Sequence, residues 1–137
     1  MINKKIFRIV YIEDDPMMID LVSLIIRKNG LDVIGITEGQ QGLDLVIKTI
    51  PDLILLDLMI PDLDGWELYQ QFKSNEKTRN IPVIIITAKA QEIDRLVGLN
   101  IAKVDDYICK PFKPQELIDS IYNIISNIDD STHKITY

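Results

Sequence analysis

Three stretches of this sequence end an apolar run on a group that chemistry can use: YIEDDP at 11–16, LILLDLMIPDLDG at 53–65 and IPVIIITAK at 81–89. Asp57 stands directly after four apolar residues and before three more. A carboxylate at the end of a buried run is costly unless something requires it there. Thr87 closes another such run, and Lys110 follows a further one, DDYIC at 105–109. Brought together, Glu13, Asp14 and Asp57 would raise each other's pKa and destabilise the chain unless a cation relieved them. A few hard oxygen ligands, with room for water and phosphate oxygens, suit Mg2+ (Mn2+ is also admissible) better than zinc. The chain has one cysteine and one histidine, His133 near its end, so it offers no zinc set. Thr87 as a hydroxyl donor and Lys110 as a mobile point charge can hold phosphoryl oxygens and neutralise charge as it develops. A carboxylate nucleophile, a divalent metal, a lysine and a hydroxyl make a phosphoryl-transfer site whose product is an aspartyl phosphate.

These groups meet only if the chain folds in a particular way. The apolar runs at 6–12, 32–37, 52–57, 82–87 and 105–109 suit buried strands. Between them lie helical stripes. Met18, Leu21, Val22, Ile25 and Ile26 form the first, with Gly30 in the place of a C-terminal cap. Leu43, Val46 and Ile47 form the second. Leu68, Tyr69 and Phe72 form the third, opened by Asp64 with Glu67 three residues later. Ile93, Leu96 and Val97 make a weaker fourth, and Leu117, Ile118, Ile121, Ile124, Ile125 and Ile128 a strong fifth. Strand–helix alternation with strands too uniformly apolar to face water predicts a parallel α/β sheet covered on both faces. Right-handed crossovers place every strand's C-terminal end on one edge, where open sheets of this class bind ligands. Glu13, Asp14, Asp57, Thr87 and Lys110 all fall on that edge.

The 137 residues suit one domain with a single sizeable core. A formal net charge of −6 leaves no basic footprint, so direct nucleic-acid contact by this chain is not expected. No apolar stretch approaches the roughly 18 residues of a membrane span. The lysines before IFRIVYI echo a signal peptide, but no small-residue cleavage site follows. A lone cysteine forms no internal disulfide, and the cytoplasm is the expected compartment.

The sequence strongly resembles the receiver domain of bacterial two-component response regulators. The resemblance covers about residues 5–127 and rests on YIEDDP, LILLDLMIPDLDGWEL, IPVIIITAK and DDYICKPF, in that order and each at a strand end. It implies a flavodoxin-like, doubly wound (βα)5 fold with strand order 2-1-3-4-5. Residues 1–127 are then the receiver domain, and 128–137 a polar tail or the start of a linker. Asp57 corresponds to the phosphoacceptor, and Glu13 and Asp14 to the acidic pair, with Asp14 the direct metal ligand and Glu13 acting through water. The main-chain carbonyl of Met59 corresponds to a further ligand. Thr87 and Lys110 take the phosphate-sensing roles and Tyr107 the aromatic switch position, although Tyr107 also suits plain core. A cis bond is implied at Pro111. The implied partners are a sensor histidine kinase or phosphotransfer protein, and a downstream protein target or fused output domain. The face of the fourth helix, fifth strand and fifth helix is one through which such domains can form a homodimer.

The chain departs from the family where Lys103-Val104 replaces the usual Gly-Ala before the DDY segment. If Lys103 takes the left-handed conformation that glycine favours, it costs about 1 kcal/mol and alters the end of the fourth helix. Asp15, beside Pro16, suits an N-terminal helix cap better than a metal ligand. Two other readings compete. DLDG at 62–65 superficially matches haloacid-dehalogenase-type phosphatases, but there the first Asp closes the strand directly, and Pro61 cannot continue a central strand. The chain is also consistent with a receiver module cut from a larger DNA-binding regulator or hybrid histidine kinase.

Overall fold

The computed structural model describes residues 7–88 and 92–136. Strands and helices alternate along them: β1 (Arg8–Ile12), α1 (Pro16–Lys28), β2 (Asp32–Ile36), α2 (Gly39–Thr49), β3 (Leu53–Leu56), α3 (Gly65–Ser74), β4 (Val83–Thr87), α4 (Glu92–Leu96), β5 (Asp106–Cys109) and α5 (Pro114–Thr136). The five strands form one parallel sheet in the order β2-β1-β3-β4-β5. This is the flavodoxin-like receiver fold. Ile6, where the first apolar run begins, lies outside the described residues.

Strand alternation splits the core in two. Val10, Ile12, Ile54, Leu56, Val83 and Ile85 face one side, where Val46, Leu68 and Phe72 of α2 and α3 cover them. Ile9, Tyr11, Leu53, Leu55, Ile84 and Ile86 face the other, under Val22 and Ile26 of α1 and Leu117 and Ile121 of α5. β3 and β4 are buried along their whole length, which is why their sequences run apolar without alternation.

Helix ends follow local chemistry. Asp15 caps α1, its Oδ1 accepting from the Met17 N–H at 3.0 Å, with Pro16 opening the helix. Asp64 caps α3 in the same way through Trp66 N–H at 2.8 Å. Glu38, at the cap position of α2, makes no side-chain cap bond. Asp62 replaces it from another loop, accepting from Gly39 N–H at 2.8 Å and Gln40 N–H at 3.1 Å. α5 continues as helix through residues 128–136.

The fourth helix departs most from regular geometry. α4 has a single α-helical turn, and Val97–Ile101 continue as a π-helical turn closed by Ala102 N–H on Val97 O at 2.8 Å. Leu96 and Val97 from the sequence stripe straddle this junction, and the Ile93 side chain lies outside the described residues. Gly98 is buried there because its backbone meets two aromatic rings. A Cβ on it would lie 2.8 Å from the Tyr107 ring and 3.3 Å from Trp66. Lys103 does adopt the left-handed conformation, with φ 60°, as does Ile50 at the end of α2, with φ 45°.

Candidate functional site

Glu13, Asp57 and Lys110 each stand one step past the end of a strand, with the backbone still held by the neighbouring strand. Thr87 is the last residue of β4, and Asp14 lies two past β1. Glu13 N–H donates to Ile36 O at 3.0 Å, Asp57 N–H to Ile12 O at 3.0 Å and Lys110 N–H to Thr87 O at 2.9 Å. The sheet ladder therefore positions the site directly. Asp57 is 3% exposed and Glu13 1%, and Thr87 is fully buried. Asp14 is exposed beside them.

Lys110 bridges the two buried carboxylates. Its Nζ donates to Asp57 Oδ2 at 2.8 Å and also to Glu13 Oε1. The Lys110–Pro111 bond is cis, as the resemblance implies. Burial alone would lower the Lys110 pKa, but its hydrogen bonds to Asp57 and Glu13 hold it above the ordinary lysine value.

The two carboxylates respond in opposite directions. For Asp57, burial pushes the pKa up, but Lys110, the Met59 N–H (2.9 Å to Oδ1) and the Thr87 hydroxyl outweigh it, and the group stays below its ordinary value. For Glu13, burial dominates, and the charge of Asp57 adds to it against the hydrogen bonds from Lys110 and Tyr11. Its pKa is raised. Asp57 is thus the better-stabilised anion, held by Lys110, Met59 N–H and the Thr87 hydroxyl.

Carboxylate oxygens of Glu13, Asp14 and Asp57 lie within 4.8 Å of one another. Lys110 is the cation bonded to this group, against three carboxylates. An all-oxygen donor set with excess negative charge and one exposed member fits a hard divalent ion. Met59 lies at the same rim, and its backbone pairs with Asp64 in an isolated antiparallel bridge. Gly65 permits this close approach, since a Cβ there would lie 2.3 Å from the Leu58 Cα.

Tyr107 is 2% exposed, with its ring against Gly98. Burial, followed by the charge of Asp94, pushes its phenol up to about 12. On α3, Trp66 meets Tyr69 edge-on at 6.0 Å, and Tyr69 donates to Ala102 O at 2.8 Å, tying α3 to the π-helical turn.

One site residue escaped the sequence reading. Tyr11 is fully buried on β1 and donates to Glu13 Oε1 at 2.8 Å. Burial and the charge of Glu13 both raise its pKa, so it remains a donor. A sequence signal did exist: residues two apart on a strand share a face, which places a phenol beneath an acid at the strand end.

Residues 9–122 match the family model described as the response regulator receiver domain. The chain belongs to this family. It is 42% identical over 118 residues to the transcriptional regulatory protein BaeR of Escherichia coli, covering 86% of this chain and 48% of that protein. It spans about half the length of the curated relatives it matches. A CheY-like response regulator receiver domain from Methanospirillum hungatei superposes with a TM-score of 0.83 at 25% identity, over 93% of this chain and 99% of that one. The receiver domain of a sensor histidine kinase from Pseudomonas aeruginosa, solved with magnesium in its active-site cleft, superposes with a TM-score of 0.80 at 30% identity, over 89% and 99% of the two chains. The protein is therefore a response regulator receiver domain of a two-component system. None of its described helices is long and apolar enough to cross a membrane.

Proposed function

We propose that this chain is a phosphorylation-activated switch that accepts a phosphoryl group on Asp57 from a sensor histidine kinase or phosphotransfer protein. The observation carrying this reading is the Lys110 ammonium bridging Asp57 and Glu13, with Thr87 also bonded to Asp57, on the sheet edge where ligands bind. A carboxylate oxygen of Asp57 attacks the phosphorus. The new O–P bond forms as the bond from phosphorus to the donor's nitrogen or oxygen breaks, and its electron pair leaves with the donor. Lys110 and Thr87 follow the charge onto the phosphoryl oxygens. Mg2+, with Mn2+ as substitute, would be held by Asp14, Asp57, Glu13 through water and the Met59 carbonyl, and would supply charge neutralisation at the phosphoryl oxygens. Outside the donor reaction and loss of the group to water, no turnover of a separate substrate is expected.

The output is a change in the face formed by α4, β5 and α5. Thr87 leaves Asp57 for a phosphoryl oxygen, and Tyr107 reports this to the π-helical turn through Gly98, against which its ring packs. Exposed Leu96 and Ile101 lie in this segment and suit a protein target, a fused output domain or a second copy. The acidic chain itself makes no nucleic-acid contact in this reading, and it acts in the cytoplasm. Relatives about twice its length, among them regulators named as DNA-binding, favour a receiver module of a longer DNA-binding regulator.

Acetyl phosphate with Mg2+ should add one phosphoryl mass, detectable by intact-mass spectrometry and absent in Asp57→Asn. Mg2+ should also raise the melting temperature of the wild type, and Asp14→Ala should remove most of that rise. An undiminished adduct in Asp57→Asn would overturn the phosphoacceptor assignment.

A further inference from the structure

Glu13 Oε1 accepts two hydrogen bonds of different kinds. One comes from Lys110, a long side chain that also serves Asp57 and is 16% exposed. The other comes from Tyr11, whose ring is fully buried in the sheet core between β2 and β3, opposite Gly35 and Leu55 in register. Glu13 Oε2 accepts a longer bond, 3.3 Å, from Asp15 N–H. When Lys110 turns toward a phosphoryl oxygen, Glu13 would lose its charged donor while remaining 1% exposed. A buried carboxylate that loses a charged donor is disfavoured. The donors left to Glu13 among the described residues are then the long bond from Asp15 N–H on Oε2 and the 2.8 Å bond from Tyr11 on Oε1.

We propose that Tyr11 is a positioning residue of the phosphorylation site, fixing the Glu13 carboxylate beside Asp14 and Asp57 for cation binding. The proposal rests on the reading of Asp57 as phosphoacceptor. Tyr11 touches neither metal nor phosphoryl group; it acts through Glu13. It is fitted to this because a strand-borne phenol packed on all sides has no alternative rotamer to adopt, whereas a lysine has many.

Tyr11→Phe keeps the ring and removes only the hydroxyl. Mg2+ titrated alone into the full chain by calorimetry should bind this variant about tenfold more weakly than wild type, the loss typical when a group orienting a metal ligand is removed. Because Tyr11 acts through Glu13, adding Tyr11→Phe to Glu13→Gln should cost no further affinity. Amide NMR spectra check that each variant is folded. If Tyr11→Phe alone does not fold, the double variant is compared with Glu13→Gln, where the neutral amide no longer needs the donor. Equal Mg2+ affinity in wild type and Tyr11→Phe overturns the proposal, as does an additive loss in the double variant, which marks general core damage. If the wild type itself binds no Mg2+, the parent reading of the site has failed rather than the role of Tyr11.

Discussion

The crevice around Asp57 and the segment from α4 to Lys103 are built on opposite terms. In the crevice, Asp57 is held by Lys110, Met59 N–H and Thr87, and its backbone and that of Glu13 are tied into adjacent strands. In the other segment, Gly98 is the buried residue of the π-helical turn, Ile101 is 75% exposed, and Lys103 takes a conformation that costs energy. Crowded like charges need a frame that cannot relax, because displacement would leave one of them unpaired. A signalling surface needs two arrangements of similar energy, which sparse packing and a strained turn provide.

The largest test of this contrast is Lys110→Ala. It leaves two buried carboxylates facing each other and should cost about 2–3 kcal/mol in denaturant unfolding without Mg2+. The figure sits below that for a fully buried pair because Lys110 keeps some contact with solvent. Saturating Mg2+ should narrow the gap to wild type. A loss under about 1 kcal/mol would show that the crevice is less constrained than described.

Two glycines probe the regions with the same added methyl group. At Gly65 the new Cβ meets the Leu58 backbone at 2.3 Å, and backbone cannot yield cheaply, so Gly65→Ala should lose about 2 kcal/mol. At Gly98 the neighbours are the Tyr107 and Trp66 rings, which can tilt, and alanine gains about 1 kcal/mol of helix propensity. Gly98→Ala should therefore unfold close to wild type while shifting the Tyr107 ring resonances. Equal losses at both positions would erase the distinction.

The pH dependence sharpens it further. Asp57 is held below its ordinary value, so its contribution is fully present above that value and is lost as pH falls through the lower folded one. Glu13 is held above its ordinary value, so its favourable contribution exists below that value and is lost as pH rises through the folded one. Wild type should thus show an acid limb, below the ordinary aspartate value of about 4, that Asp57→Asn lacks. Identical acid limbs would remove Asp57 as its source. The smallest expected effect is Lys103→Gly. It relieves a positive φ and should gain up to about 1 kcal/mol, read as a raised unfolding midpoint. A loss instead would mean that the lysine side chain contributes contacts outweighing the strain.

Much of this contrast could be read from the sequence, and the reason lies in the sheet. Apolar runs mark strands, parallel connection puts their C-terminal ends on one edge, and Asp57, Thr87 and Lys110 are then neighbours without any knowledge of packing. The left-handed Lys103 was legible because a glycine is the usual residue there. Ile50 gave no such warning, since a β-branched residue is the last expected at positive φ. The cap on α2 was hidden as well: Asp62 lies 22 and 23 residues from its partners, and only tertiary structure brings them together. The π-helical turn depends on how closely Gly98 approaches Tyr107 and Trp66, a distance that periodicity does not encode.

That approach gives the molecule an optical property. Trp66 is the chain's one tryptophan, and its ring bridges α3, which starts beside the Asp57 loop, and the turn that carries Gly98. Indole emission depends on the polarity and quenchers within a few ångströms. A small displacement of the turn exchanges Gly98 for water at the ring's edge, so the protein contains its own gauge of α4 position, readable in solution without a label.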